Sequence, residues 1–97
     1  MSMTVLVTRN VSARVRGFLA STMLELIPGV YSAPRLSPAV RERIWQVLAA
    51  WFPSEEKAVI IMLWHEHGIP GGQAVRTLGA PMIHFSEVDG LLLARRT

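Results

Sequence analysis

The alternation of apolar and polar residues divides the chain into seven predicted elements. A short run of apolar and β-branched residues at 3–8 predicts a strand. Apolar residues then recur with helical spacing from Val11 to Leu26 and again from Val40 to Trp51, which predicts two amphipathic helices. Further strands are predicted at 30–32, 58–64, 73–78 and 91–94, with a hairpin turn at 65–72 and loops at 34–36 and 80–82.

Capping residues define the ends of the two helices. Asn10 or Ser12 can cap the first helix with a side-chain oxygen. Ser37 followed by Pro38 is typical of a helix start, because the hydroxyl accepts from free backbone N–H groups and proline has none to satisfy. Pro53 is expected to end the second helix, since it cannot donate the next backbone hydrogen bond.

The order strand, helix, strand, helix, strand, strand, strand predicts an α+β fold in a single domain spanning residues 1–97. A ferredoxin-like two-layer sandwich is expected, with two helices on one face of a small, mostly antiparallel sheet. Residues 58–64 show no alternation, so this strand is expected to be central and covered on both faces.

The apolar content predicts an interface between subunits. Hydrophobic residues make up 51% of the 97 residues, including three Trp and five Met. A domain of this size buries only about two-thirds of its unfolded surface. We therefore expect the sheet face without helices to pack on a second copy, which makes the protein a homodimer.

Composition and the distribution of apolar residues also indicate the compartment in which the protein is expected. The absence of cysteine excludes disulfides and thiolate metal sites. The first residues lack the pattern of a signal peptide, and the longest apolar run, 58–64, is too short to span a bilayer. A cytoplasmic protein without membrane contact is expected.

The positive charge is concentrated in the first half of the chain. Residues 1–52 contain six Arg and two Glu, a net of +4, whereas the remaining residues carry a net of −1. Nine Arg against one Lys favours phosphate binding, because a guanidinium matches phosphate oxygens two at a time. A basic half on a small domain is typical of nucleic-acid binding.

Arg14 and Arg16 lie about 100° to either side of Val15 on the first helix, so both are expected on the exposed rims of its apolar face. A bound anion would offset their unfavourable position near the helix N-terminus. Arg41 and Arg43 are expected off the apolar face of the second helix, where they can also reach solvent.

Five short motifs then occur in series: Thr8-x-Asn10, Arg14-x-Arg16-Gly17-x-Leu19, Glu25 followed by Gly29-Val30-Tyr31, Arg41-Glu42-x-Ile44-Trp45, and Asp89-Gly90-Leu91. Their order and spacing resemble the CRISPR-associated protein two family in its type I-E form. The resemblance extends from Met1 to about Leu93.

This resemblance implies a ferredoxin-like homodimer that acts as a scaffold in spacer acquisition. In that assembly the small subunit lies between dimers of a larger integrase subunit. It holds the middle of a DNA duplex while the integrase carries out strand transfer. By the same resemblance, Arg14, Arg16 and Arg41 match positions that contact the DNA backbone.

The resemblance also implies a role for the C-terminal strand. Residues 90–94, with Leu91, Leu92 and Leu93, match the segment that docks on the integrase subunit. Docking by strand addition requires only a free sheet edge and spaced pockets. The following Arg95 and Arg96 are expected to form a solvated basic tail.

Two departures from the family pattern affect function. Family members carry a carboxylate near the end of the first strand, which is the proposed ligand of a nuclease metal, and here that position is Arg9. Mg²⁺ prefers carboxylate oxygens, so a guanidinium there opposes it. The basic residues that relatives carry before Asp89 are also absent, so part of the family's DNA-contacting surface is either missing or replaced by Arg9, Arg43 or Arg76.

Two other functions are alternatives to the scaffold, which requires no cofactor. One is a metal-dependent endonuclease of the same fold that uses Mg²⁺ to cut RNA or double-stranded DNA. The other is a small-molecule-sensing or protein-interaction domain, which would leave the excess of arginine unexplained.

His65, His67 and His84 supply imidazoles that could hold a metal with an open position, but the segment around the first two is typical of a hairpin turn. A surface loop is the preferred interpretation of His65-Glu66-His67. Trp45, which lies just off the apolar face of its helix, is expected at an interface.

Overall fold

The computed structural model describes residues 2–79 in full and the backbone of residues 83–88 and 91–96. The helices are α1 (Ala13–Thr22) and α2 (Pro38–Trp51), and short 3₁₀ turns lie at Phe52–Ser54 and Pro70–Gly72. The strands are β1 (Ser2–Arg9), β2 (Leu24–Ile27), β3 (Val30–Leu36), β4 (Val59–His65), β5 (Gln73–Leu78), β6 (Ile83–Val88) and β7 (Leu91–Arg96).

Five strands form one antiparallel sheet in the order β2-β3-β1-β4-β5, and β6 and β7 form a separate antiparallel pair. The first strand lies at the centre, where Leu6 pairs with Tyr31 of β3 and with Met62 of β4. The predicted α+β fold is confirmed, and the arrangement is consistent with a ferredoxin-like sandwich.

Both helices pack on the same face of the sheet, where they form one apolar core. Val15 and Leu19 project from α1 into this core, because they lie one helical turn apart on one face. The other buried members of the cluster come mainly from α2 and from alternate positions of the central strands: Ile44, Trp45, Leu48, Leu6, Tyr31, Ile60 and Met62.

Neither helix covers the opposite face of the sheet. Val5, Val7, Ile61 and Leu63 share this face through the β1–β4 register and are half-buried, and Met3 beside them is 55% exposed. The strand β4 is an interior strand as predicted, but β1 occupies the centre. The prediction that β4 is covered on both faces is wrong for the described residues, because its burial alternates with Ile60 and Met62 inward.

The first helix ends earlier than its periodicity predicts. Helix α1 stops at Thr22, and residues 24–27 form β2 instead of the last turn. The hydroxyls of Ser21 and Thr22 donate to the Phe18 carbonyl, which competes with helix continuation. Pairing of β2 with β3 then places Leu26 at 55% exposure, so Leu26 is not on a helical apolar face.

Strand β3 is longer than predicted. The segment 34–36, expected to be a loop, belongs to β3, and Leu36 pairs with Ser2. The register shifts between the Ser2 and Thr4 pairs, opposite Pro34, where an irregular ladder tolerates a residue without a backbone N–H.

The C-terminal part forms a hairpin of β6 and β7, of which the sequence predicts only β7. Strand β6 was not predicted, and it pairs with β7 along its whole length. Strand β7 continues past Ala94, so the backbone of Arg95 and Arg96 is paired rather than a free tail. The predicted loop at 80–82 lies outside the described residues.

Candidate nucleic-acid interface

The start of α1 presents two arginines to solvent. Ser12 is the cap, as one of the two predicted alternatives, and its Oγ accepts from the backbone N–H of Val15 at 3.4 Å. With Val15 buried, its neighbours Arg14 and Arg16 are exposed as predicted. Neither forms an ion pair with a carboxylate of residues 2–79.

Both side chains are nevertheless held by the protein. The guanidinium carbon of Arg14 lies 4.2 Å from the ring centroid of Trp51, at the end of α2. Arg16 donates from Nη1 to the carbonyl oxygen of Val11 at 3.0 Å. The two cations therefore project from the same helix turn with most of their N–H donors free of partners within residues 2–79.

A carboxylate of the chain itself already lies at the N-terminus of α1. The backbone N–H of Ser12 donates to Oε1 of Glu55 at 2.7 Å. This N–H group is therefore already satisfied within the chain, and the expected offset of the Arg14 and Arg16 charges by a bound anion stays a prediction. Arg14 and Arg16 can also act through their own side-chain donors.

Arg41 is buried, in contrast to its predicted place off the apolar face. Only 8% of its surface is exposed, and its guanidinium carbon lies 4.3 Å from the ring centroid of Trp64. Its guanidinium forms no hydrogen bond or ion pair with residues 2–79. The side chain lines a cavity of about 260 Å³ together with Ser2, Pro38, His65, Glu66 and His67.

Arg41 and Arg14 lie near opposite ends of α2, since Arg41 belongs to its first turn and Arg14 of α1 contacts its last residue, Trp51. Trp51, which contacts Arg14, lies ten residues after Arg41 on this helix, a distance of about 15 Å along its axis. The structure therefore brings Arg14 and Arg16 together but places Arg41 in a second position on the same side of the sheet.

The two remaining candidate residues, Arg9 and Arg43, are exposed. Arg9 ends β1 opposite Val59, and the alternation of β1 places it on the sheet face without helices. Arg43 borders a groove of about 250 Å³ between the helices, lined also by Phe18 and Ile44. Neither has a carboxylate partner within residues 2–79.

Arg76 differs from these arginines because its charge is neutralised. Its Nη1 lies 2.9 Å from both carboxylate oxygens of Glu42, which is the one salt bridge within the part of the chain whose side chains are described. Its guanidinium carbon also lies 5.0 Å from the centroid of Trp45. Trp45 itself is 4% exposed, so its ring belongs to the core of the chain rather than to the expected interface.

The end of β1 does not fit a magnesium site. Thr8 donates from Oγ1 to the Gly29 carbonyl oxygen at 3.0 Å, and Arg9 follows it. No group of three or more His, Asp or Glu side chains that could hold a metal occurs in the described part of the chain. His65 and His67 meet edge-to-face with centroids 4.6 Å apart, and the side chain of His84 lies outside the described residues.

Tyr31 connects the Arg16 region to the core. Its side chain is fully buried, and burial is the main cause that raises the pKa of its hydroxyl above 10.0. The neighbouring Glu25 carboxylate raises this pKa further, and Arg16 lowers it. The phenol therefore stays neutral across the physiological range.

The contacts of Arg14 with Trp51 and of Arg41 with Trp64 were not predicted from the sequence. Trp51 and Trp64 follow Arg14 and Arg41 by 37 and 23 positions, distances that carry no local signal. Only the packing of α1 on α2 and of α2 on β4 brings each pair together. Leu91, Leu92 and Leu93 lie on β7, and their predicted docking role stays a prediction.

Residues 3–93 match the family model described as CRISPR-associated protein (Cas_Cas2CT1978), which covers nearly the whole chain. Among the described helices, none is long and apolar enough to cross a membrane.

Proposed function

Because the chain belongs to the CRISPR-associated Cas2 family, we propose that it is the homodimeric scaffold subunit of spacer acquisition, in the type I-E form. In this role it binds duplex DNA through backbone phosphates and bridges copies of the larger integrase subunit. It acts in the cytoplasm and performs no strand chemistry itself.

The observation that carries this proposal is the set of arginines without carboxylate partners. Within residues 2–79, Arg76 is neutralised by Glu42, whereas the five candidate arginines Arg9, Arg14, Arg16, Arg41 and Arg43 form no ion pair. A cation without a counter-charge is suited to an external anion, and arginine matches phosphate oxygens in pairs. The positive excess in residues 1–52 would also steer the domain toward DNA.

The apolar sheet face supports the homodimer. Val5, Val7, Ile61 and Leu63 form a continuous patch on the central strands, and Met3 at its border is largely exposed. Such a patch is unfavourable in water, and packing it on a second copy would bury it. Two copies would double the number of arginines available to one duplex.

The binding is proposed to be independent of sequence. Phosphate contacts fix the position of a protein on a duplex but do not read its bases. A dimer that uses about six phosphate contacts should show a slope near −5 in a plot of log affinity against log salt concentration. Binding that is insensitive to salt, or that requires one sequence, would contradict the proposal.

The decisive experiment combines the purified protein, the larger integrase subunit from the same source and a short labelled duplex. Size-exclusion chromatography with light scattering then gives the mass of the product. The scaffold proposal expects a complex that contains both proteins and DNA, and a dimeric mass for the protein alone. Separate elution of all three components would overturn it.

A nuclease assay covers the alternative function. Cleavage of RNA or double-stranded DNA that requires Mg²⁺ or Mn²⁺ and stops with a chelator would favour the endonuclease. The presence of Arg9 in place of a carboxylate argues against that outcome.

A further inference from the structure

We infer that Trp51 and Trp64 are positioning residues for DNA binding, because each ring lies against the guanidinium of one arginine and restricts its motion without occupying its N–H donors. The inference rests on the proposed binding of the DNA backbone. It assigns a role to two aromatic side chains that need not touch the DNA themselves.

The first pair lies where α1 meets the end of α2. The guanidinium carbon of Arg14 is 4.2 Å from the ring centroid of Trp51. The ring is fixed in turn by Phe18 of α1, whose centroid is 5.4 Å away at an interplanar angle of 70°. Trp51 is half-buried against the core, so the exposed Arg14 rests on a ring that packing holds in place.

The second pair lies at the other end of α2. The guanidinium carbon of Arg41 is 4.3 Å from the ring centroid of Trp64, and the indole Nε1 of Trp64 donates to Oε1 of Glu66 at 3.4 Å. Arg41 is more than nine-tenths buried, yet its guanidinium makes no hydrogen bond or ion pair with residues 2–79. The aromatic ring is therefore the partner that stabilises this cation in the free protein.

Stacking leaves the binding donors unused. A guanidinium attracts an aromatic ring through its flat face, whereas its N–H groups point outward in its plane. The exposed Arg14 can thus keep its ring contact while it donates to a phosphate. Arg41 is 8% exposed, so a phosphate would have to reach its N–H groups through the cavity that it lines. Arg76 shows the contrasting case, because it also lies over a tryptophan but its Nη1 is occupied by Glu42.

The expected benefit is pre-organisation. A free arginine samples many rotamers and loses that freedom when it binds, whereas a stacked arginine has lost part of it already. Removing a ring should therefore weaken duplex binding about two- to tenfold, a factor that corresponds to the cost of fixing one long side chain. The positive charge itself is unchanged by such a substitution.

The test is a double-mutant cycle on the Arg14–Trp51 pair, measured by fluorescence anisotropy of a labelled duplex. It compares the wild type with Trp51→Leu, Arg14→Ala and the double variant. Trp51→Phe retains a ring face, and Phe52→Leu removes a neighbouring half-buried ring that contacts no guanidinium within residues 2–79. Thermal unfolding by circular dichroism identifies variants that remain folded at the assay temperature.

The inference expects Trp51→Leu to weaken binding two- to tenfold, Trp51→Phe to restore most of it, and Phe52→Leu to have little effect. In the Arg14→Ala background, Trp51→Leu should cause no further loss, because the ring acts through that arginine. If Arg14→Ala weakens binding but Trp51→Leu does not, or if the two losses are additive, the positioning role is wrong while backbone binding stands. Failure of the wild type to bind any duplex overturns both.

Discussion

The backbone N–H of Ser12 donates to Oε1 of Glu55 at 2.7 Å, which ties the start of α1 to the turn that follows α2. A second bond, from Nδ2 of Asn10 to the Lys57 carbonyl oxygen, joins the same two segments. The segment that carries Arg14 and Arg16 is thereby anchored to a part of the chain more than 40 residues away. This anchoring fixes where the two cations stand relative to α2.

Glu55→Gln should lower the stability of the protein. The variant loses the attraction between a carboxylate and the N-terminus of α1, for which about 0.5–1 kcal/mol is expected. The measurement is the free energy of unfolding from urea titration followed by circular dichroism. Glu56→Gln is the control, since Glu56 is exposed and makes no hydrogen bond or ion pair within residues 2–79. Equal losses in the two variants would show that the carboxylate charge of Glu55 contributes nothing at this contact.

Replacing both Arg14 and Arg16 by Ala should weaken duplex binding without a comparable loss of folding stability. Both side chains are exposed, so little packing is removed. Each lost phosphate contact should reduce the magnitude of the log–log salt slope by about 0.9. Anisotropy titrations at several salt concentrations give the slope, and urea unfolding gives the stability. An unfolding free energy that falls by several kcal/mol would instead assign these residues a structural role.

The two glycines at positions 17 and 29 should respond to alanine in opposite directions. Gly29 has φ +88, and an added Cβ would lie 2.9 Å from the Thr8 carbonyl oxygen, so Gly29→Ala should destabilise the protein by about 1–3 kcal/mol. Gly17 is helical with nothing within 4 Å of an added Cβ, and Gly17→Ala should stabilise by about 0.5–1 kcal/mol. Thermal unfolding midpoints of the two variants make the comparison, and a stabilised Gly29→Ala would contradict it.

Tyr31 should make stability fall at alkaline pH. The pKa of its hydroxyl is raised above 10.0 in the folded state, chiefly by burial, so the unfolded chain loses its proton first as the pH rises. The contribution of the neutral Tyr31 hydroxyl to folding stability is complete below pH 10, and it is lost as the pH rises through the folded-state pKa. Tyr31 is the only tyrosine, so phenolate absorbance in buffer and in urea reports the shift directly. Tyr31→Phe should lose this component of the pH dependence, and identical profiles for both proteins would contradict the prediction.

The sequence predicted the elements whose signals are local. Ser12 and Ser37 cap their helices as expected because a side-chain hydroxyl next to a helix start acts within a few residues. The end of α1 could not be predicted in this way. Residues 24–27 continue the helical spacing, but they form β2 because β3 offers a strand partner beyond the turn at Gly29.

The candidate site was predictable in its composition and not in its geometry. Charge and spacing were enough to single out Arg14 and Arg16 as exposed cations. The burial of Arg41 depends on β4, which brings Trp64 under it from a distant part of the chain. The pairing of Arg76 with Glu42 likewise joins residues 34 positions apart. Such contacts arise from tertiary packing and leave no periodic signal.

The central position of β1 has a consequence for folding during synthesis. A ribosome makes this strand before any of its neighbours, and its partner β3 is complete only at Leu36. Its other edge has no partner until β4 has been made, which ends at His65. Until then, the nascent chain carries an open apolar edge at the middle of its future sheet. The sheet is completed only when β5 ends at Leu78, after about four-fifths of the polypeptide has been synthesised.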